Sequence, residues 1–145
     1  MNGKYPERIV IYRDGVSDGQ IPHVFDVEMP QIRCAISELA GDENQIKLAF
    51  VIVTKRVNAR FFLRNSPSPK DVQNPAPGTV VDTEVTRRER YDFYLVSQST
   101  RQGTVAPTCY NIIEDNTNWK PNHHQSLAYK LCHLYFNWMV RLKLF

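Results

Sequence analysis

The sequence predicts an α/β fold, and three observations in its amino-terminal third indicate it. Residues 9–12 form a continuous run of apolar and aromatic strand formers, which is typical of a buried strand. Apolar residues then recur at helical spacing over residues 20–39, and a second apolar run occupies residues 48–53. Strand, helix and strand in succession form a βαβ-like unit, from which α/β folds are built.

The first strand is predicted to be central in the sheet and covered on both faces, because its apolar run does not alternate with polar residues. An Asp-Gly pair ends it, so Asp14 lies where the strand leaves the sheet. Within the following helix, Pro30 is predicted to kink or split the helical segment, since proline cannot donate a hydrogen bond to the carbonyl of Asp26.

The second half of the chain predicts a long loop, three strands and a final helix. Residues 65–78 contain four prolines among polar residues, which indicates a functional or mobile loop. Residues 79–81, 91–97 and 109–113 are rich in strand formers. The final helix is predicted to begin with a capping box of Asn122 and Gln125. We expect its core stripe to pack on the sheet, and the stripe consists of Leu127, Leu131, Leu134 and Trp138.

Length and composition restrict the classes of protein to consider. The chain has 145 residues, which predicts one domain, and 18 Lys and Arg against 15 Asp and Glu. The net charge of +3 permits an acidic partner such as nucleic acid but does not require one. No apolar run of about 18 residues exists, so a membrane-spanning helix is not expected. The start lacks the pattern of a signal peptide.

The cysteines and histidines are interpreted as structural residues. Three cysteines at wide spacing indicate reduced thiols in a cytosolic or nuclear protein. No histidine stands at a metal-ligand spacing from a carboxylate. His123 and His124 are expected to be exposed in the first turn of the final helix.

The equivalent ends of the two apolar strands carry candidate functional residues. Asp14 is placed where α/β proteins bind ligands and metals. Asp-Gly is also a common turn, and for this pair taken alone the turn is the favoured interpretation. The segment after the second apolar run contains Lys55, Arg56 and Arg60, which could bind phosphates, with Asn58 adding a hydrogen bond. The alternative for this segment is a solvated loop.

A third candidate surface is the polar segment at residues 97–104, which has no acidic residue. Its amide, guanidinium and hydroxyl groups suit a sugar-phosphate backbone, and the candidate residues are Gln98, Arg101 and Thr104. A plain loop is the alternative.

Taken in order, these segments resemble the PIWI domain of Argonaute and Piwi proteins over roughly residues 5–138. The first block is the tyrosine-arginine-aspartate-glycine signature that contains Asp14. The other blocks lie at residues 53–62, 77–83, 91–98, 101–108 and 129–133. The last two blocks favour the Piwi branch over the Argonaute branch.

This resemblance implies a ribonuclease H-like fold with a mixed sheet flanked by helices. It also implies an endoribonuclease that is guided by a small RNA and cuts a paired RNA target. The family's site places two strand-borne aspartates, a glutamate and a final histidine or aspartate around magnesium. Asp14 matches the second aspartate and is therefore the expected catalytic residue and metal ligand. The basic residues Lys55, Arg56, Arg60 and Arg101 lie in blocks that face RNA in the family.

The chain also departs from the family pattern. The first aspartate and the glutamate are expected upstream of this sequence, and a proline-alanine-proline stretch that should follow Trp138 is absent. Residues 1–145 thus resemble the carboxyl-terminal half of a PIWI domain, with one of four catalytic residues. We expect this chain alone to be inactive and not to hold magnesium by itself.

The expected function is RNA binding within piRNA-type, small-RNA-guided gene silencing. The alternatives are a non-catalytic RNA- or partner-binding fragment, a shortened isoform, or an incomplete gene product without its own function. Expected partners are a guide RNA, a target RNA, the remainder of a Piwi protein and silencing-complex proteins, with no membrane. The expected location is the cytoplasm, with perinuclear germ granules and the nucleus as alternatives.

Overall fold

A computed structural model of the chain describes residues 4–41, 46–64, 72–87 and 89–134. The strands are β1 (Arg8–Asp14), β2 (Lys47–Thr54), β3 (Leu63–Arg64), β4 (Val72–Gln73), β5 (Thr79–Val81), β6 (Tyr91–Val96) and β7 (Thr108–Asp115). The helices are α1 (Ile21–His23), α2 (Met29–Ala40) and α3 (Pro121–Leu131). A 3₁₀ turn (Asp18–Gln20) precedes α1, and a π-helical turn (Val24–Glu28) joins α1 to α2.

Five strands form one mixed sheet in the order β1-β2-β7-β6-β5. β1 and β2 are parallel, and the other neighbouring pairs are antiparallel. Because β7 is antiparallel to both β2 and β6, strands β1, β2 and β6 run in the same direction. The short strands β3 and β4 pair separately. The predicted α/β fold, with a mixed sheet flanked by helices, is confirmed.

The predicted interruption at Pro30 takes the form of the π-helical turn that precedes α2. Pro30 is the second residue of α2 and follows backbone that is already helical at Glu28, so its missing N–H removes one hydrogen bond from a continuous helical segment. The backbone N–H of Met29 donates to the carbonyl of Val24, five residues earlier. α2 then ends at Gly41, whose φ of 76° is the left-handed conformation that glycine adopts without strain.

Two apolar clusters cover the two faces of the sheet, and alternate residues of β2 enter opposite clusters, as the pleat of a strand requires. The helical segment from α1 to α2 covers one face, with Val16, Ile21, Val24, Met29, Ile36, Ile46, Leu48, Phe50 and Ile52. α3 covers the other, with Val51, Val53, Phe93, Leu95, Tyr110, Ile112, Ala128 and Cys132. No helix among the described residues is long and apolar enough to cross a membrane.

The position of β1 differs from the prediction. It is the edge strand of the sheet as far as the described residues extend, and Ile9 to Tyr12 are half-buried rather than fully covered. Both faces of β1 do meet apolar neighbours, since Ile9 and Ile11 pack on one cluster and Val10 and Tyr12 on the other. The apolar run therefore indicates that both faces of β1 are packed, but it does not indicate that β1 is central in the sheet.

The predicted capping box and core stripe of the last helix are wrong. The N-cap is Lys120 rather than Asn122, and Gln125 donates to the side chains of Asp82 and Tyr91 at 2.8 and 2.9 Å. Of the four stripe residues, Leu127 and Leu131 are half-buried, Leu134 is exposed and Trp138 lies outside the described residues.

The face of α3 that packs on the sheet lies one position further along the chain. Its buried side chains are His124 and Ala128, followed by Cys132 just after the helix, at a regular spacing of four residues. Small side chains at Ala128 and Cys132 allow the helix to lie close to the large rings of β6 and β7. The prediction took the leucines as the buried face because leucine is more hydrophobic than alanine, and the stripe was therefore misplaced by one position.

Candidate nucleic-acid interface at the carboxyl edge of the sheet

The carboxyl ends of β1, β2 and β6 lie at the same edge of the sheet, because these three strands run in the same direction. In the register, Asp14 is opposite Val53, and Thr54 is opposite Cys109, which in turn is opposite Tyr94. Neighbouring strands lie about 4.8 Å apart, so the segments that leave these strands start within a short distance of each other. All predicted site residues lie at this edge or in these segments.

Asp14 is held at the end of β1 by two contacts. The backbone N–H of Gly15 donates to Asp14 Oδ1 at 2.8 Å, in a turn where Gly15 has a φ of 78°. Lys55 Nζ donates to Asp14 Oδ2 at 2.5 Å. The Asp14 side chain is 41% exposed and the Lys55 side chain 30% exposed, so water weakens this ion pair. The structure thus joins two residues that the sequence analysis treated separately.

The basic segment after β2 presents its residues in different ways. Arg56 and Asn58 are exposed. Arg60 Nη1 donates to the carbonyls of Val57 and Ala59 at 2.6 and 2.8 Å, so this guanidinium stabilises the loop itself. Directly after it, the ring of Phe61 packs edge-to-face on Tyr94 of β6, with centroids 5.4 Å apart. The loop is therefore fixed to the sheet on one side.

The polar segment after β6 is fixed by Asn74, which the sequence analysis missed. Asn74 Nδ2 donates to the carbonyl of Gly103 at 2.9 Å, and Asn74 Oδ1 accepts from the N–H of Val105 at 3.1 Å. Within this segment Arg101 and Thr104 are exposed, whereas Gln98 is half-buried. An asparagine among prolines is an available signal, since its amide both donates and accepts, but its partner could not be identified from sequence.

A cleft of about 760 Å³ opens beside the pair of Asp14 and Lys55. Arg56 contributes a second cation to its wall, and Asp18 a second carboxylate. Asp18 accepts from Arg87 Nη2 at 2.5 Å, which occupies part of that carboxylate. The edge therefore offers exposed arginines and polar groups around two partly neutralised aspartates, an arrangement suited to a sugar-phosphate backbone.

The fit of these residues to magnesium is incomplete. Asp14 provides the oxygen donors that this hard cation prefers, but both oxygens already accept hydrogen bonds, from Gly15 and Lys55. In the part of the chain that the structure describes, no three His, Cys, Asp or Glu side chains converge to hold a metal ion. Asp14 could act as one ligand of a magnesium site, and the described residues do not form the whole of one.

All three cysteines lie in the described residues, and none of them forms a disulfide. Cys34 is exposed, Cys109 half-buried and Cys132 buried. Burial, with a smaller effect of the Asp92 charge, raises the pKa of Cys109 to about 11. This thiol lies near the candidate edge and is protonated at neutral pH, so it is unsuited to act as a nucleophile.

His124 is buried, which corrects the expectation that it is exposed. Its Nε2 lies 2.8 Å from Asp115 Oδ2, and Asp115 also accepts from the N–H and hydroxyl of Thr117 at 2.8 and 2.6 Å. Burial raises the pKa of Asp115, but the hydrogen bonds from Thr117 and His124 outweigh it, so that the pKa lies below its usual value. His123 is exposed, as predicted. His124 contacts Asp115, the last residue of β7, whereas the first residues of β7 lie at the candidate edge.

Comparisons with known proteins point to one family. The family model described as "Piwi domain" matches residues 1–144. The chain is 58% identical over 137 residues to the Piwi-like protein Siwi of Bombyx mori and 52% identical over 137 residues to Piwi-like protein 1 of Danio rerio. These matches cover 94% of the chain but only 15% and 16% of the relatives' lengths.

Two solved structures are similar to the whole described fold. The crystal structure of Drosophila Piwi matches 97% of the chain with a TM-score of 0.84 and 43% identity. The crystal structure of Kluyveromyces polysporus Argonaute with a guide RNA matches 98% with a TM-score of 0.82 and 27% identity. The chain corresponds to 19% and 18% of those two proteins.

Proposed function

The chain belongs to the Piwi domain family, and we propose that it supplies an RNA-contacting face to a protein that silences genes under the guidance of a small RNA. One observation carries the proposal. The segments that follow β2 and β6 leave the same edge of the sheet, and they present Arg56 and Arg101 there in exposed positions. Phosphate contacts of this kind position a nucleic acid without reading its bases.

The comparisons support RNA as the partner of this face. A guide RNA is bound in the Kluyveromyces polysporus Argonaute structure, whose fold this chain shares. The chain is 58% and 52% identical to two Piwi-like proteins but 27% identical to this Argonaute. This difference favours a piRNA-type guide over other small RNAs. A guide RNA and its paired target are therefore the proposed ligands, together with the remainder of a Piwi protein.

Asp14 is the residue that we propose for cleavage of the target. In the assembled domain it would contribute one carboxylate to a magnesium site, and bound magnesium would polarise the scissile phosphate and activate water. Lys55 donates a hydrogen bond to the Asp14 carboxylate. The lysine keeps the carboxylate at the edge and partly neutralises its charge.

The contact between Lys55 and Asp14 also favours a second candidate, an RNA-binding face without catalysis. A carboxylate that already has an ammonium partner repels phosphate less than a free one. In this alternative, Asp14 orders the lysine toward RNA and takes no part in chemistry. The two candidates agree on RNA binding and differ on cleavage.

RNA binding is tested by removing two exposed arginines from the candidate edge. We expect Arg56→Ala with Arg101→Ala to weaken binding of single-stranded RNA evenly across sequences. The slope of log affinity against log salt should fall by about 0.7 for each phosphate that the protein no longer neutralises. The measurement is fluorescence anisotropy of labelled RNA over a series of salt concentrations.

The matched control removes two cations from the opposite end of the sheet, with Arg8→Ala and Lys120→Ala. Both residues are exposed, and the control lowers the net charge by the same amount. An equal decrease of affinity in the two double variants would show that net charge alone binds the RNA. An unchanged salt slope in the edge variant would place the phosphate-binding residues elsewhere.

A further inference from the structure

We propose that a groove at the other end of the sheet receives an extended, basic peptide segment of a partner protein, paired with the free edge of β7. This groove lies away from the candidate RNA face. It is formed by two clefts that meet at Tyr91, Ile112 and Ile113. The inference does not depend on the proposed function of the opposite edge.

The free edge arises because β6 is shorter than β7. β6 begins at Tyr91, which is opposite Ile112 of β7. On its other side β7 pairs with β2 up to Asp115, opposite Ala49, with a bulge at Ile113. Residues 113–115 therefore have no strand partner on the β6 side within the described residues. Such an edge is a template for one more strand.

The two clefts provide space along this edge. The first, of about 480 Å³, lies between α1 and the start of β6, with Pro22 and the half-exposed Phe25 in its wall. The second, of about 290 Å³, lies between the end of β7 and the start of α3, with Trp119 and Pro121 in its wall. An added strand would direct alternate side chains into apolar surfaces of this kind.

The charge of the groove selects a basic occupant. Carboxylates line both clefts, Asp26 and Glu89 in the first and Glu114 and Asp115 in the second, against one arginine, Arg90. Arg33 binds Glu114 at 2.5 Å from outside the lining and neutralises part of this charge. The groove remains acidic on a chain whose net charge is +3. RNA is therefore disfavoured here, and lysine or arginine side chains are favoured.

A buried nitrogen gives an independent sign of a missing partner. His124, which lines the second cleft, is 2% exposed. Its Nε2 faces Asp115, and its Nδ1 is buried with no hydrogen-bond partner among the described residues. In the neutral ring whose Nε2–H donates to the carboxylate, Nδ1 is an acceptor. A donor from an occupant would satisfy it, whereas a buried acceptor without a donor is costly.

The test uses a fluorescent peptide of alternating valine and arginine as the probe, with the full chain. We expect binding that raises the anisotropy of this peptide and slows amide exchange at residues 113–115. Asp26→Asn with Glu89→Gln should weaken binding by about threefold to tenfold, the range for two exposed charge contacts. Phe25→Ser should also weaken peptide binding, because it removes an apolar side chain from the wall of the first cleft. Melting curves establish that each variant is folded.

The controls define what would overturn the proposal. Glu7→Gln with Glu38→Gln removes two exposed carboxylates outside the groove and should leave the affinity unchanged. A peptide with glutamate in place of arginine should not bind. Equal affinity for the two peptides, an equal decrease of affinity in the two double variants, displacement of the peptide by single-stranded RNA, or unchanged exchange at residues 113–115 would each overturn it.

Discussion

Among single residues, Asp14 determines how the candidate edge presents its charge. It is the carboxylate that Lys55 contacts at the carboxyl ends of β1 and β2. Removing its charge makes the ammonium more available to phosphate and takes a repulsive group from the edge. An exposed pair of this kind contributes only about 0–1 kcal/mol to stability. Asp14 therefore affects binding of an anion more than it affects folding.

We predict that Asp14→Asn strengthens RNA binding by about twofold to fivefold in magnesium-free buffer, the equivalent of up to about 1 kcal/mol. The melting temperature should change little. Anisotropy with labelled RNA measures the first effect, and circular dichroism the second. Glu7→Gln, with the same change in charge at the opposite end of β1, is the control. Unchanged affinity together with a large decrease in stability would make Asp14 a structural turn residue.

The sequence placed Asp14 and Lys55 at equivalent strand ends but could not show that they touch. Strand periodicity fixes where a residue leaves the sheet, whereas the contact depends on the rotamers of both side chains. The same limit applies to Asn74, whose partners at Gly103 and Val105 are distant in the sequence. Contacts between loops could therefore not be predicted from the sequence, whereas the edge of the sheet at which they lie could be.

Among the elements, β2 and β6 follow the prediction from the sequence closely and α3 does not. An apolar run predicted β2, strand-forming residues at 91–97 predicted β6, and both strands are covered on both faces. The buried face of α3 was predicted from its leucines, although small side chains allow the close approach of this helix to the sheet. Gly78 shows how close the packing is, since a side chain there would meet the ring of Tyr129 at 3.2 Å. Packing distance, which no hydrophobicity pattern contains, set the orientation of the helix.

We predict that Ala128→Leu destabilises the fold more than Leu131→Ala does. Ala128 is fully buried against the sheet, and overpacking such a position costs about 1–3 kcal/mol. Leu131 is only half-buried, so its truncation should cost less than the roughly 2–5 kcal/mol of a core leucine. Urea unfolding followed by circular dichroism measures both. A larger destabilisation by Leu131→Ala would restore the leucine stripe as the buried face.

In the molecule as a whole, the two ends of the sheet differ in charge and offer different chemistry. The carboxyl ends of β1, β2 and β6 carry Arg56 and Arg101 beside the pair of Asp14 and Lys55. The other end carries the acidic groove at the free edge of β7. The parallel direction of β1, β2 and β6 produces this division, because it gathers the segments that follow these strands at one end. RNA and a basic peptide could then bind the same domain without competing.

We expect the proposed cleavage to require more of a Piwi protein than this chain, which spans about 15% of the length of the relatives it matches. We predict no cutting of RNA by the 145-residue chain alone, since its described residues do not converge to hold a metal ion.

We predict guide-directed cutting when the chain replaces the matching segment of the Bombyx mori relative. In that chimaera, Asp14→Ala should reduce cutting to background while guide binding stays intact, because the carboxylate serves the metal and not the guide. Glu38→Ala, which removes an exposed carboxylate outside both proposed surfaces, is the control, and product formation on a labelled target RNA is the measurement. Full cutting by the Asp14→Ala chimaera would assign catalysis to other residues and leave this chain with RNA binding alone.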